Sequence, residues 1–544
     1  MSEFTLTLLD TTGIQDYIFS SNRLQENIGA SELVYRATSL WAFEALHDIV
    51  GKDKDKHNIL NHTELEWGYS DACIENDGLD AEIIQAAGGN LLILFKEHEK
   101  AIEFTQKLTL RVLKEAPGLT LLAQHKKFDF EKENLGEARE ELGEEMQAHK
   151  LSRLPSSPLL GLGVTAVGAS TGLPAVRSSE GKQDGIELLV GDQKGKEEEK
   201  NRLISRETTF KLAARNWANT RLNYWLEEAA DYFEFPYDLD KLGRVKGEES
   251  YLAVVHADGN HMGDHVKNVT ADEKNNRKWI EKLRLFSKTI NEANLTALQK
   301  VVTSLAHTID INPDGDIPYA TEKGSKYLPF RPLVFGGDDL TFVCNGKIGI
   351  SLATMYIKEF HEATKNKIAD LYASAGVGMV KMHYPFIRAY KLSEELANSA
   401  KSLNRKPKAD CSAIDWHFAQ SGLSGSLESI REREYTVKDG KLYLRPLKLK
   451  DSDDFRSWDK VKAVIEDFQD EKVWSHNKVI GLREPLRRGE EATQEYRLNF
   501  DLPKLPEFKG DLACDKGWAN NRCYYFDAIE LLNHYAPIEK VEEE

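Results

Sequence analysis

The stretch Leu333-Val334-Phe335-Gly336-Gly337-Asp338-Asp339-Leu340-Thr341-Phe342-Val343 sets two glycines and two carboxylates between two short apolar runs of β type. Glycine accepts positive φ and brings no side chain, so the backbone here can turn tightly and approach a phosphate. Adjacent aspartates offer hard oxygen ligands to Mg²⁺. About eighty residues upstream, Tyr251-Leu252-Ala253-Val254-Val255-His256-Ala257-Asp258-Gly259-Asn260 reads as a buried strand ending in an aspartate and a glycine. Carboxylates that converge from separate strands are what two-metal phosphoryl chemistry requires, with one cation activating the attacking hydroxyl. Neighbouring residues of a strand point to opposite faces, so only one of the pair projects naturally toward Asp258 unless the turn re-aims the other. Asp339 is the favoured shared ligand and Asp338 the second choice.

Elements must carry these residues. A strand over 250–257 is followed by a helical stretch from about Asn275 to Thr308, with Trp279, Leu283, Leu285, Phe286, Ile290 and Leu295 at helical spacing. The hairpin around Asp338 comes next, then a helical pattern from Ile348 to Leu371 and a Gly-containing apolar strand from Ala373 to Lys381. The order is β-α-β-β-α-β, that of a ferredoxin-like palm. The chain's beginning repeats it. Strand Phe4 to Leu9 ends at Asp10, helical residues cover Ile14 to Val50, strand Asn90 to Phe95 follows Gly88-Gly89, a helix spans Glu97 to Lys114, and Leu119 to Ala123 closes the unit. On this alignment Asn90 stands where the second copy has Asp338, and Leu91 where it has Asp339, so the metal-binding pair is lost from the first copy.

The expected fold class is α+β: two ferredoxin-like palm (βαββαβ) domains with helical intermediate and C-terminal domains. The division is a degenerate palm at 1–125, a helical intermediate domain at 126–245, a catalytic palm at 246–420 and a helical C-terminal domain at 421–544. Phe130 to Gln147 reads as a solvated amphipathic helix, Glu180 to Arg206 as a mobile loop rich in Lys, Glu and Gly, and Glu542-Glu543-Glu544 as a frayed tail.

Composition narrows the field. The chain has 544 residues, 41% of them hydrophobic, enough for several cores. Acidic residues outnumber basic ones 89 to 72, a formal charge of −17, which argues against a chain-wide electrostatic grip on nucleic acid. The five cysteines (Cys73, Cys344, Cys411, Cys514 and Cys523) are scattered with no Cys-x-x-Cys pair, so neither a disulfide framework nor a zinc ribbon is expected. The amino terminus lacks a signal-peptide pattern, and the longest apolar stretch, around Leu159 to Ala169, is too short to span a bilayer. A cytoplasmic protein with no membrane association is the expectation.

Taken together these residues resemble the large polymerase-like subunit of type III CRISPR effector complexes and, more distantly, the GGDEF cyclases and other palm polymerases. The resemblance spans both repeats: Gly13-Ile14-Gln15-Asp16-Tyr17-Ile18-Phe19 with Glu26-Asn27-Ile28-Gly29-Ala30-Ser31 at the start, Asp258-Gly259-Asn260-His261-Met262-Gly263, and Gly336 to Asp339 as the GGDD signature. Ser374-Ala375-Gly376-Val377-Gly378, His383-Tyr384-Pro385-Phe386, the helix Ala389 to Lys401 and Ser412-Ala413-Ile414-Asp415-Trp416-His417 follow in the family's order. The resemblance implies a palm that joins ATP 3′ to 5′, closes the product into cyclic oligoadenylate, and uses Mg²⁺ or Mn²⁺. It implies Asp258, Asp338 and Asp339 as catalytic residues, a metal set of Asp258, Ala257, Asp338 and Asp339, and a nucleotide set of Gly259, Gly336, Gly337, Lys401, Ser412 and Ser31. Lys401 lies where related cyclases place a lysine toward the triphosphate. The expected partners are nucleoside triphosphates, together with RNA or CRISPR-associated subunits. The sequence departs from many relatives in offering no HD nuclease domain before residue 4 and no zinc-binding cysteines in the intermediate segment.

Other features have plainer accounts. His261 and His265 with Asp264 have transition-metal spacing, which a surface helix turn explains better. Gly161-x-Gly163 followed by Gly168 lacks the third glycine of a dinucleotide loop and reads as a packed connection. Lys391, Lys401, Arg405, Lys406 and Lys408 form a basic run for triphosphate or RNA, or a solvated helix face. Gly29-Ala30-Ser31 either touches a nucleotide or lets a helix turn. Three functions stay open: a synthase of cyclic oligoadenylate, a polymerase extending a primer, and a non-catalytic scaffold of a guide-RNA ribonucleoprotein.

Overall fold

The computed structural model describes residues 3–540 except 54, 64, 66, 88, 154–162, 231–232, 244–250, 272, 311–325, 405–410, 420–424, 450–454 and 509–512. Gly161, Arg405, Lys406, Lys408 and the tail Glu542-Glu543-Glu544 therefore lie outside the described residues. The chain divides into two compact units: Met1–Glu228 with His261–Glu292 and Gly336–Asp338, and Ala229–Asn260 with Ala293–Phe335 and Asp339–Glu544.

In the first unit, a four-stranded sheet runs in the order Ala81–Ala87, Asn90–Phe95, Glu3–Thr12, Thr120–Asp129. All its pairings are antiparallel, and the order of strands and helices is that of a ferredoxin-like unit. Helix His98–Glu115 precedes the last strand. Helix Leu135–Ser152 follows it and starts on Asn134, whose side chain accepts from the Glu137 N–H. This corrects the expected solvated helix at 130–147. The last strand runs on to Asp129, and the helix buries Leu135, Ala138, Leu142 and Met146 at i, i+3, i+7 and i+11. Three of these join Phe4, Leu6, Leu94, Phe128, Trp279 and Leu283 in one core.

The segment expected to be a mobile loop at 180–206 also has fixed structure. Leu188 and Ile204 pack on Leu212 and Ala213, while Glu199 accepts from Arg23 and Arg202 pairs with the buried Glu26. Its Lys and Glu residues look solvated in sequence because the apolar anchors are few and far apart.

In the second unit a six-stranded sheet runs Phe330–Gly336, Asp339–Asn345, Tyr251–Gly259, Ala373–Lys381, Ala413–Phe418, Leu447–Lys448. Its first four strands repeat the ferredoxin-like order. Helices Gly349–Thr364 and Phe386–Lys401 cover opposite faces, as the pairing register requires. A Cβ on Gly349 would fall 2.3 Å from that of Ala253, whereas one on Gly376 would fall 2.1 Å from the Ser393 carbonyl oxygen. Ala253 faces Met379 and His256 faces Gly376 across the ladder, so the two contacts lie on alternate sides of the pleat. The C-terminal part is helical with an added small sheet, ordered Thr436–Val437, Gly440–Lys441, Arg522–Cys523, Trp518–Ala519. It centres on the fully buried Arg445, which donates to Asp527 at 3.0 Å and Glu530 at 2.5 Å. None of the described helices is long and apolar enough to cross a membrane.

Candidate active site

Strands Tyr251–Gly259 and Asp339–Asn345 pair antiparallel from Leu252↔Asn345 to Ala257↔Leu340. The next position on each strand is Asp258 and Asp339, so the two carboxylates occur at directly opposed positions on one face of the sheet. The same alternation puts His256 and Thr341 on that face, and their side chains meet at 3.2 Å. The Ala257 side chain points to the other face and is fully buried. A strand thus delivers a buried apolar row on one side and a polar row ending in Asp258 on the other.

The helix Phe386–Lys401 lies over this polar face. Gly376 and Gly378 permit its close approach, because a Cβ at Gly376 would also come within 2.3 Å of the Ala397 nitrogen. The helix ends at Lys401, whose ammonium forms an ion pair with Asp258 and donates to the Gly259 carbonyl at 3.0 Å. A lysine in the last turn also complements the negative end of the helix dipole. Beyond the strand, Asn260 donates to the Cys411 carbonyl and accepts from Ser374, tying Gly259 to the start of strand Ala413–Phe418. Ser412 sits there, buried, and its hydroxyl makes no hydrogen bond to a described residue.

His256 is buried with Nδ1 3.3 Å from Asp339 Oδ1. Burial opposes the charged imidazole, but Asp339, aided by Asp258 and Glu394, outweighs it and raises the His256 pKa. The ring of Tyr390 stands edge-on to His256 at 5.7 Å, and burial first, then the charges of Asp339, Glu394 and Asp258, push its phenol up. Asp339 Oδ1 is buried against His256 at 3.3 Å, while the Asp339 side chain as a whole is about a quarter exposed. Among the described residues no three His, Cys, Asp or Glu side chains form a metal cage. Mg²⁺ keeps waters and takes one or two protein carboxylates together with substrate phosphates, and the opposed Asp258 and Asp339 are the two carboxylates here that could hold it.

The remaining expected residues fall elsewhere. Gly336, Gly337 and Asp338 belong to the first unit, where the Gly337 N–H donates to Asn291 Oδ1 at 2.8 Å. Gly337 has φ +65°, which explains the glycine, and Asp338 occupies the turn rather than the strand. Asn294, one helical turn on from Asn291, donates to the Asp339 carbonyl at 3.2 Å. Ser31 is half-buried in helix Leu24–Thr38 of the first unit. Gly29 is a spacer, since a Cβ there would stand 1.6 Å from the Lys211 carbonyl oxygen. His261 reaches Asp264 at 3.7 Å without a third ligand among the described residues. The register also corrects the alignment of the two copies. Asp10 faces Asn90, so Asn90 corresponds to Asp339, not Asp338.

The sequence reading gave no site role to Asp415 or Asn294. Asp415 lies in a strand whose six residues are all buried, where it accepts both terminal nitrogens of Arg431 at 2.7 and 2.8 Å. A charge within an unbroken buried run was the available signal, because such a group requires a partner.

Comparison with known proteins agrees with this architecture. Residues 251–409 match the family model of Cas10/Cmr2, second palm domain. No curated protein matches the chain. A chain in the crystal structure of the Csm1-Csm4 cassette in complex with cA4 aligns at 15% identity and TM-score 0.54, covering 98% of this chain and 69% of that one. One in the cassette complex with pppApApA aligns at 16% identity and TM-score 0.53, covering 98% and 70%. The Csm1-Csm4 subcomplex of the type III-A CRISPR-Csm interference complex gives 16%, 0.51, and the same coverage. At these identities the likeness is one of fold. Residues 251–409 are thus similar to the second palm domain of Cas10/Cmr2, and the chain as a whole shares its fold with these Csm1-Csm4 cassette chains.

Proposed function

We propose that this protein is a nucleotidyltransferase that joins ATP into oligoadenylate, including cyclic oligoadenylate, in CRISPR-type antiviral defence. The observation that carries this reading is the opposition of Asp258 and Asp339 at one sheet end, with Lys401 laid across Asp258. Within it, Asp258, Asp338 and Asp339 are the catalytic carboxylates and the domains divide at 1–125, 126–245, 246–420 and 421–544, with both ferredoxin-like units read as palms. The fold likeness to cassettes crystallised with cA4 and with one ATP supports adenine nucleotides as substrates. The same likeness supports a Csm4-like subunit as partner.

The residues divide the work. Asp258 and Asp339 would hold Mg²⁺ or Mn²⁺, and the bound cation would supply Lewis-acid stabilisation of charge on the reacting phosphoryl group. Ala257 joins that set through its place in the strand beside Asp258. Lys401 exchanges Asp258 for the triphosphate when ATP arrives, a switch between two anionic partners. Gly336 and Gly337 give the turn a bare backbone for phosphate approach, Gly259 offers its backbone and Ser412 its unused hydroxyl, and Ser31 serves the nucleotide of the first palm. His256, wedged between Thr341 and Asp339, fixes the orientation of the Asp339 carboxylate.

The test is incubation of the purified protein with ATP and Mn²⁺, alone and with its partner subunit and candidate activating RNA. Pyrophosphate and cyclic products are expected, with Asp339→Ala abolishing both. Equal inertness of wild type and mutant under every condition would sink the reading. Mass spectrometry of products from each nucleoside triphosphate, with and without a primer, separates synthesis of a messenger from primer extension.

A further inference from the structure

We propose that Ser399 and Asp415 are positioning residues that set Lys401 on Asp258. The last turn of a helix has carbonyls without intrahelical partners and tends to fray, and a lysine carries a long flexible stem. Something must fix the height of this turn above the sheet if Lys401 is to stay on one carboxylate. Ser399 is two residues before Lys401, and its hydroxyl donates to Asp415 Oδ2 at 2.6 Å. Asp415 is fully buried in the neighbouring strand. Its Oδ1 accepts from Arg431 and from the Trp416 N–H at 2.8 Å, its Oδ2 accepts from Arg431 as well, and Arg431 also donates to the Trp416 carbonyl at 3.0 Å. A two-pronged guanidinium clamp holds a carboxylate in one plane, so the oxygen offered to Ser399 has a fixed place. Helix Leu427–Glu434, which bears Arg431, is itself bound to the lysine helix through the Leu427 N–H and Glu395 at 3.1 Å. Because Arg431 neutralises Asp415, the tether adds no net charge near Lys401 and acts through position.

The kinetic part of this proposal rests on the nucleotidyltransferase reading, whereas the placement of Lys401 can be measured without turnover. Asp415→Asn leaves Arg431 buried without its charge partner and risks misfolding, so Ser399→Ala is the primary variant and Ser399→Thr the conservative rescue. In the full-length protein, competitive acetylation of amines read by peptide mass spectrometry reports the protection of Lys401, with Asp258→Asn as the reference for a released lysine. Ser399→Ala is expected to raise Lys401 labelling several-fold toward that reference while other lysines are unchanged, and Ser399→Thr to restore protection. In ATP turnover, Ser399→Ala is expected to lower kcat on the order of tenfold, the scale on which outer contacts act on functional groups, with Ser399→Thr close to wild type. Unchanged Lys401 labelling in Ser399→Ala overturns the proposal even if the protein makes product. Loss of protection in Ser399→Ala upholds the tether even if the wild type makes none, in which case it is the nucleotidyltransferase reading that fails.

Discussion

Lys150 forms an ion pair with Asp10 in the first unit just as Lys401 does with Asp258 in the second. Each aspartate lies near the end of the first strand of its sheet, and each lysine lies in the last two turns of the helix that follows the fourth strand. The repeat thus extends one helix further than a βαββαβ unit. The copies differ at the opposed position, where the first has Asn90 and the second Asp339. An amide cannot replace a carboxylate as an anionic metal ligand, so the first copy lacks the opposed carboxylate pair and its Lys150–Asp10 contact is expected to act in stability. Asp10→Ala is expected to lower unfolding free energy by about 1–2 kcal/mol, between the values for exposed and buried pairs, since both side chains are roughly a fifth exposed. Turnover that requires Asp339 should persist. Chemical denaturation with a parallel ATP assay checks both, and loss of turnover in a stably folded Asp10→Ala would show that the first copy takes part in chemistry.

The Gly376 site makes a graded prediction. Its missing side chain lets helix Phe386–Lys401 sit on the sheet, and an added Cβ would meet backbone atoms at 2.1 and 2.3 Å, which no rotamer change can relieve. Gly376→Ala is expected to destabilise by at least about 3 kcal/mol, at the upper end for overpacking. At Gly378 the nearest atom, the Ala389 carbonyl oxygen, lies at 3.2 Å, and Gly378→Ala should be milder, about 1 kcal/mol. Urea unfolding of the two variants tests the order; equal effects would mean the helix does not approach as closely as described.

Much of the second sheet was legible because its strands are short, apolar and separated by turn residues. Ala373–Lys381 and Asn90–Phe95 were placed to the residue. The opposition of Asp258 and Asp339 was readable in outline, since strand alternation already favoured Asp339 over Asp338. What periodicity could not supply was lateral register between strands far apart in sequence. That gap produced the misaligned Asn90 and hid the pairing of Asp415 with Arg431, which depends on a helix sixteen residues on. Helix Leu135–Ser152 looked solvated because its buried stripe is narrow and its other positions are charged, so the sequence carries little sign of which sheet it covers.

Asn294 leads to a prediction about the strand that bears Asp339. It is buried, and its amide donates to the Asp339 carbonyl at 3.2 Å, holding the first residue of the strand to the long helix Asn276–Asp310. Asn294→Ala leaves a backbone carbonyl without that donor, at an expected loss of about 1–3 kcal/mol in stability. If the contact also places the carboxylate, kcat for ATP should fall while KM changes little, because the ground-state contacts to nucleotide are intact. Steady-state kinetics beside thermal unfolding distinguishes the outcomes: a stability loss with unchanged kcat would confine Asn294 to packing.

His417 makes the acid side of the stability profile specific. It is buried in strand Ala413–Phe418, and burial, then the nearby Arg445 and Arg431 guanidinium groups, lower its pKa to about 3 from 6.5. The folded protein therefore keeps this imidazole neutral where the unfolded chain would protonate it. Between pH 6.5 and about 3 the unfolded state binds the extra proton, so stability falls as pH drops through that window, by up to about 1.4 kcal/mol per unit from this group. Above pH 6.5 both states are neutral at this position and the term vanishes. His417→Gln removes the titration while keeping a polar side chain, so its unfolding free energy should decline less steeply with acid than that of the wild type, even if it begins lower at neutral pH. Denaturant unfolding of both proteins at intervals from pH 7 to 4 measures the difference in slope, and parallel curves would mean that His417 is protonated in the folded state between its two arginines.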